Sequence, residues 1–196
     1  MIVAVILSAG ESSRMGRPKA LLPIDGQSFI EKIVAALKAS RVDRIIVVLG
    51  HNADEMKARI ERLPVEVLVN PDYKLGQLSS LQVAVRRLAT DPDCEGMLVH
   101  LVDHPYIDPA LVDEMIRLFY QSKKTIVVPR WRGKRGHPVI FSRALFAELL
   151  SAPLSEGAKA VVHAHRDETL EVETDQAGIT IDIDTPELYD KHVKGS

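Results

Sequence analysis

The sequence predicts an α/β fold, a Rossmann-like three-layer α/β/α sandwich with a mainly parallel sheet. Apolar runs of strand length alternate with helical patterns over most of the chain. Most of these runs are near-continuous Val, Ile and Leu, which is typical of strands buried on both faces of a parallel sheet. The length of 196 residues, with 46% hydrophobic residues, suits one domain that buries roughly 70% of its unfolded surface.

The regular alternation occupies the first two thirds of the chain. Helices are expected to follow the strands as right-handed crossovers. The helix at 109–120 has clear start signals, because Asp108 can act as N-cap and Pro109 then occupies the first helical position. The predicted strands are residues 2–7, 44–49, 65–69, 97–102 and 125–129, and the predicted helices are residues 28–39, 53–62, 79–88 and 109–120.

The pattern changes after Pro129. Two further strands are predicted, at 139–141 and 179–183, together with shorter helices at 144–150, 157–165 and 186–192. The sequence contains no internal repeat, no low-complexity stretch and no long linker. We therefore expect residues 1–196 to form a single domain.

Charge and cysteine content narrow the range of partners. The net charge is −2, from 25 basic and 27 acidic residues, so the chain has no overall bias toward nucleic acid. Cys94 is the single cysteine, which excludes an internal disulfide and favours a reducing compartment. The apolar run at residues 2–7 is too short to span a bilayer, and no basic residue precedes it. The sequence therefore predicts a cytoplasmic protein that binds neither nucleic acid nor membrane.

The strongest functional signal is the loop that follows the first strand. Gly10 and Gly16 lie among small and hydroxyl residues, so the backbone can turn its N–H groups toward an anion. Arg14 and Lys19 add positive charge for phosphates. The loop is not a Walker A motif, because no Ser or Thr follows Lys19. The alternative interpretation is a solvated loop with no ligand.

The segment at 7–23, LSAGESSRMGRPKALLP, resembles the signature of molybdenum cofactor cytidylyltransferases and guanylyltransferases, a family related to sugar-nucleotide pyrophosphorylases. The resemblance implies the nucleotide-diphospho-sugar transferase type of α/β fold. It also implies a magnesium-dependent enzyme that transfers NMP from an NTP to a phosphorylated acceptor and releases pyrophosphate. Four further segments continue the resemblance along the chain.

Two of these segments concern the nucleotide and the metal. Residues 76–81, GQLSSL, resemble a family segment near the base and ribose, although a simple N-cap is the alternative. Asp103 ends the fourth strand in VDHP, where a carboxylate suits magnesium. The resemblance gives Asp103 the metal, whereas His104 is more typical of a structural histidine.

The remaining two segments concern the second carboxylate and the acceptor. In DIDTPE the resemblance implies a second metal ligand, with Asp184 favoured and Asp182 kept as the alternative. Residues 135–139, RGHPV, resemble a segment beside the acceptor substrate. The basic residues leading into it form a loop that can bind an acceptor phosphate, or simply a solubilising surface loop: Arg130, Arg132, Lys134 and Arg135.

The resemblance thus assigns each candidate residue a role. Catalysis falls to Arg14, Lys19 and Asp103. The metal ligands are Asp103, Asp184 and Asp182, and the acceptor lies against Gly136, His137 and Pro138. The implied nucleotide-binding residues are Leu7, Ser8, Ala9, Gly10, Ser13, Arg14, Gly16, Lys19, Gly76, Ser79, Ser80 and Asp103.

The substrates are predicted less sharply than the reaction. CTP and molybdopterin are the favoured pair, which would make a molybdoenzyme or its chaperone a partner. ATP or GTP with a sugar-phosphate or polyol-phosphate acceptor is an alternative. A non-catalytic nucleotide-binding module is a second alternative. A dinucleotide-dependent oxidoreductase is a third, and the absence of a Gly-x-Gly-x-x-Gly motif argues against it.

Overall fold

The computed structural model describes residues 1–195. Its strands are β1 (Ile2–Ser8), β2 (Pro23–Ile24), β3 (Gln27–Ser28), β4 (Arg44–Leu49), β5 (Glu66–Val69), β6 (Gly96–Leu101), β7 (Ile126–Trp131), β8 (Lys134–Arg135), β9 (Val139–Ser142) and β10 (Thr169–Glu173). Its α-helices are α1 (Phe29–Lys38), α2 (Ala53–Ile60), α3 (Gln77–Ala89), α4 (Pro109–Ser122), α5 (Phe146–Ser151), α6 (Lys159–Ala164) and α7 (Pro186–Tyr189).

One sheet organises the described part of the chain, in the order β10-β7-β9-β6-β1-β4-β5, with β8 paired to β7. The pairs are parallel except those of β9 and β8, which are antiparallel to their neighbours. In the register, Leu7 of β1 lies opposite both Val48 and Leu101. The loops that leave β1, β4 and β6 therefore meet at one edge of the sheet.

The side chains of β1 alternate between two cores, as a central strand requires. Ile2, Ala4 and Ile6 pack with apolar residues of α1, α2 and α4 on one face. Val3 and Val5 pack with residues of α3, α5 and α6 on the other. The predicted three-layer α/β/α fold is confirmed, and the elements predicted in the first two thirds of the chain differ from the observed ones by at most two residues at either end.

The C-terminal third departs further from prediction. The predicted strand at 179–183 is wrong, because a 3-10 helix occupies Ala177–Thr180 and the following residues extend without a ladder partner. Its apolar alternation has another cause: Ile179 joins the core on the α1, α2 and α4 side of the sheet, and Ile183 packs in a separate apolar cluster with Phe29 and Tyr189. The edge strand β10 was not predicted, because its sequence, TLEVE, is polar and buries only Val172.

No helix within residues 1–195 combines the length and the apolar character that crossing a membrane would require.

Candidate active site

The loop after β1 turns back on itself through two left-handed residues. Ser12 has φ 53° and Gly16 has φ 66°, and they bracket a 3-10 helix at Ser13–Met15. The Ser12 hydroxyl then accepts a hydrogen bond from the backbone N–H of Lys19 at 3.1 Å. This contact closes the loop and brings the Lys19 side chain over the carboxyl end of β6. Ser12 was not among the predicted site residues.

Lys19 joins two carboxylates that are distant in sequence. Its Nζ donates to Asp103 Oδ2 at 3.1 Å and also contacts Asp184 Oδ1. Arg14 Nη2 donates to the other oxygen of Asp184 at 2.8 Å. The Lys19 side chain is 14% exposed, and those of Asp103 and Asp184 are 22% and 20% exposed. Because these three side chains are largely shielded from solvent, their charges interact more strongly than they would in water. The Arg14 side chain, by contrast, is 67% exposed.

The electrostatics of this cluster favour the ionised form of Asp184. Burial raises the pKa of Asp184, but the hydrogen bond and charge of Lys19 and the charge of Arg14 outweigh it, so the pKa lies below its ordinary value. Asp184 reaches this position because the Ile183 N–H donates to the Asp103 carbonyl at 2.8 Å. The segment after β10 therefore docks directly on the turn that carries Asp103.

The carboxylate pair fits a small divalent cation. Asp103 Oδ1 is buried and has no hydrogen-bond partner among residues 1–195, which leaves one ligand oxygen available beside Asp184. In the same part of the chain no group of three or more His, Cys, Asp or Glu side chains is arranged to hold a metal. Two carboxylates match magnesium, which takes few protein ligands and completes its shell with phosphate oxygens and water. Asp182 is exposed and makes no ion pair with Lys19 or Arg14.

The N-terminus of α3 is held in place by a buried amide. Asn70 Nδ2 donates to the hydroxyls of Ser79 and Ser80, each at 2.9 Å. The Ser79 hydroxyl donates to the Gly76 carbonyl at 2.7 Å, so Ser79 stabilises the first turn of the helix. Gly76 has φ 101°, a conformation that L side chains rarely adopt. Ser80 lies one residue further along and faces the cavity described next.

A cavity of about 270 Å³ lies between the first loop, α3 and the ion cluster. One wall was not predicted: His51 and Asn52 follow β4, and Tyr73 lies opposite, with His51 Nδ1 3.2 Å from the Tyr73 hydroxyl. Gly50 permits this wall, because a Cβ there would lie 2.6 Å from Tyr73 Cβ. The place of residues 50–52 at the carboxyl end of a parallel strand is the signal that could have identified them.

A second cavity, of about 550 Å³, opens on the other side of α3. Aliphatic and aromatic side chains form much of its wall, together with Gly136, His137 and residues of α6. Leu7, Gln77 and Leu101 line both cavities, so the two are adjacent.

The basic approach to the second cavity is a β-hairpin in place of the expected loop. β8 pairs with β7, and Arg130 and Arg135 form ion pairs with Glu171 of β10. Their charge is therefore largely neutralised. Gly136 lies against the Ile179 carbonyl, where an added Cβ would be 2.2 Å from the oxygen.

The predicted residues separate into three groups. Those that line the first cavity are Leu7, Ser8, Ala9, Gly10, Lys19, Gly76, Ser80 and Asp103. Gly136 and His137 line the second, and Pro138 is buried behind them after a cis peptide bond. Ser13, Arg14, Gly16 and Ser79 line neither cavity: the first three shape the loop or reach Asp184, and Ser79 stabilises α3.

A loop that holds Lys19 and Arg14 against paired carboxylates, at the carboxyl edge of a mainly parallel sheet, defines a protein with the nucleotide-diphospho-sugar transferase type of α/β fold. Within that class the chain belongs to the family described as the MobA-like NTP transferase domain, which matches residues 4–169. The predicted family is confirmed. The match ends before Asp184, so the second carboxylate lies outside the matched region.

Named relatives cover most of the chain. It is 27% identical over 190 residues to the molybdenum cofactor cytidylyltransferase of Escherichia coli, covering 96% of this chain and 93% of the relative. It is 30% identical over 151 residues to the nicotine blue oxidoreductase of Paenarthrobacter nicotinovorans, covering 74% and 72%.

Among solved structures, Rv0371c of Mycobacterium tuberculosis superposes with a TM-score of 0.87 at 30% identity, covering 98% of this chain and 97% of that one. The same protein in complex with manganese superposes with a TM-score of 0.83 at 28% identity, covering 100% and 99%.

Proposed function

We propose that this protein is a nucleotidyltransferase that transfers NMP from an NTP to a phosphorylated acceptor and releases pyrophosphate. CTP is the favoured nucleotide and molybdopterin the favoured acceptor. The observation that carries the proposal is the cluster of Lys19, Arg14, Asp103 and Asp184 beside the first cavity. Family membership supports the reaction class, and the full-length similarity to the Escherichia coli cytidylyltransferase supports the substrate pair.

The two adjacent cavities suit two substrates. The first would hold the NTP, with its phosphates against the backbone of the first loop and against Lys19. The second would hold the acceptor, whose less polar body would lie against its aliphatic wall. Because Leu7, Gln77 and Leu101 line both, the α-phosphorus and the acceptor phosphate would meet at that boundary.

The chemistry needs positioning more than a nucleophilic side chain. An oxygen of the acceptor phosphate forms a bond to the α-phosphorus, and the bond from the α-phosphorus to the oxygen bridging it to the β-phosphate breaks. Pyrophosphate carries away that electron pair. Lys19 would neutralise charge on the leaving phosphates, and the exposed Arg14 beside it would assist.

We further propose that Asp103 and Asp184 hold magnesium. When bound there, the ion would supply Lewis-acid neutralisation of phosphate charge. The buried, unpartnered Oδ1 of Asp103 supports this assignment. The manganese complex of the Mycobacterium tuberculosis relative supports binding of a divalent cation in general. Asp182, which lies outside the ion cluster, is the weaker candidate. We also propose that the enzyme is cytoplasmic, a location that the lone, buried Cys94 supports.

The direct test is pyrophosphate release from each of the four NTPs with magnesium, in the presence and absence of molybdopterin. Release that requires both CTP and acceptor is expected. Thermal shifts with the same nucleotides report binding separately, because a ligand of the folded state raises the melting temperature. A thermal shift without release under any condition would favour a non-catalytic nucleotide-binding module and contradict the proposal.

An oxidoreductase is the second candidate, because the Paenarthrobacter relative carries that name. It predicts oxidation of NADH or NADPH by the protein, followed by the loss of the absorbance of the reduced nicotinamide. Nicotinamide cofactor binding without NTP binding would favour this function over nucleotidyl transfer.

A further inference from the structure

Three histidines pack together behind the carboxylate pair, and we call them the histidine cluster: His100, His104 and His137. The ring centroids of His104 and His137 are 4.9 Å apart, and His100 lies 6.3 Å and 6.5 Å from the other two. His100 is fully buried and His104 is 9% exposed. His137 lines the second cavity, whereas His100 lines neither cavity.

His100 makes one specific polar contact. Its Nε2 lies 2.8 Å from the carbonyl oxygen of His104. A carbonyl can only accept, so Nε2 carries the proton in this contact. The His104 N–H in turn donates to the Leu101 carbonyl at 3.1 Å. The turn that carries Asp103 is therefore closed by one backbone bond and by one bond from the buried ring.

The same turn anchors the second carboxylate. The Asp103 carbonyl accepts from the Ile183 N–H at 2.8 Å, and this bond places Asp184 beside Asp103. Further along the same segment, the Ile179 carbonyl accepts from the His137 N–H at 3.0 Å. The histidine cluster thus lies where the Asp103 turn, the segment bearing Asp184 and the wall of the second cavity meet.

A histidine at the buried position 100 carries a free-energy cost that an apolar residue would not. The other side chains at the centre of β6, including Met97, Leu98 and Val99, are apolar and buried. Burial of a polar ring costs free energy unless its groups are hydrogen-bonded. The hydrogen bond to the His104 carbonyl offsets part of this cost. Without His100 that carbonyl would lose this donor in a buried turn.

We propose that His100 is a positioning residue for the metal-binding carboxylates, acting through the His104 carbonyl to fix the turn that holds Asp103 and, through it, Asp184. The inference rests on the proposed metal site at these carboxylates. It assigns a role in the reaction to a residue that touches neither substrate.

The test compares His100→Phe, which keeps a ring but loses the donor, with His100→Gln, whose amide nitrogen can reach the position of Nε2. Leu98→Ala, on the same strand, controls for loss of stability alone. Mn²⁺ binding to the free protein is measured by the loss of its free EPR signal, together with melting temperature and pyrophosphate release. We expect His100→Phe to weaken Mn²⁺ binding at least tenfold and lower kcat at least tenfold. His100→Gln should stay within threefold of the parent, and Leu98→Ala should lower only the melting temperature.

Equal Mn²⁺ affinity in the parent and His100→Phe overturns the inference, as does an equal loss in His100→Phe and His100→Gln. If His100→Phe does not fold, His100→Asn replaces it, because its shorter amide cannot reach the carbonyl. Failure of the proposed function looks different: the parent would bind Mn²⁺ but release no pyrophosphate with any NTP, and the EPR comparison would still decide the role of His100. A parent that binds no Mn²⁺ overturns the inference and the metal site together.

Discussion

Lys19 lies between Asp103 and Asp184, where a metal ion bound to both carboxylates would also lie. Removing the charge of Lys19 should therefore have separate effects on metal affinity and on turnover. Lys19→Met keeps the length and apolar stem of the side chain but abolishes its contacts with Asp103 and Asp184. In the free protein the lysine would compete with the proposed metal for these oxygens. With NTP bound, the same lysine is expected to neutralise phosphate charge. Metal affinity and turnover should therefore change in opposite directions.

The size of each effect follows from the contacts. A hydrogen bond between charged groups contributes about 1.5–3 kcal/mol, and 1.36 kcal/mol corresponds to a factor of ten. Loss of the 3.1 Å bond to Asp103 thus predicts roughly 10- to 100-fold tighter Mn²⁺ binding by the free variant. Loss of a preorganised donor for developing charge predicts a fall in kcat of roughly 10²- to 10³-fold.

Mn²⁺ titration by EPR without nucleotide measures the first effect, and pyrophosphate release at saturating NTP and acceptor measures the second. Lys38→Met is the matched control, because Lys38 is exposed at the end of α1 and lines neither active-site cavity. Weaker Mn²⁺ binding in Lys19→Met would show that the lysine supports the carboxylates structurally. Turnover within tenfold of the parent would refute its proposed role with phosphate.

Further substitutions test the rest of the site. Asp103→Asn should reduce turnover more than 100-fold while the fold survives; a loss below tenfold, about 1.4 kcal/mol, contradicts its role as a metal ligand. His137→Ala should raise the KM for the acceptor several-fold with NTP affinity unchanged, and the reverse pattern would exchange the two cavities. Gly136→Ala should lower stability by about 1–3 kcal/mol in urea unfolding, since its Cβ would lie 2.2 Å from the Ile179 carbonyl; an unchanged midpoint would show that the segment yields without cost. Burial lowers the pKa of His100 to about 3. Below pH 6.5 this histidine is therefore protonated in the unfolded chain but stays neutral in the folded protein. Stability should therefore fall by roughly 1.4 kcal/mol per pH unit from this group between pH 6.5 and about pH 3, and His100→Gln should remove that slope.

The sequence was informative wherever burial on both faces produced a continuous apolar run. β1, β4 and β6 are such strands, and the rule that parallel strands end at one edge then brought Lys19 and Asp103 together. β10 could not be recognised, because an edge strand with alternating charges resembles a polar loop. The alternation around Ile183 resembled a strand, although the side chain is buried by packing against Leu22, Phe29 and their neighbours and its backbone has no ladder partner.

In the candidate site, residues that belong to a recognisable motif were predicted, and residues that reach the site only through tertiary packing were not. Motif resemblance selected the phosphate loop and the two carboxylates, whose residue types suggest their chemistry. The wall formed by His51 and Tyr73 carries no motif, and it depends on how closely Gly50 lets the two segments approach. Nor does any sequence pattern show that Ser79 is engaged by Asn70 and the backbone of α3.

The contact between Arg14 and Asp184 joins residues 170 positions apart. A ligand that engages the first loop and the carboxylate pair would therefore fasten the beginning of the domain to its C-terminal segment. Ligand binding would lower the fraction of molecules in which that segment is frayed. A ligand that binds only when the segment is in place stabilises that arrangement by mass action. Limited proteolysis after residue 173 should then slow when NTP and metal are present. The rate of cleavage in the C-terminal segment would therefore report whether ligands occupy the site, although other parts of the chain form most of that site.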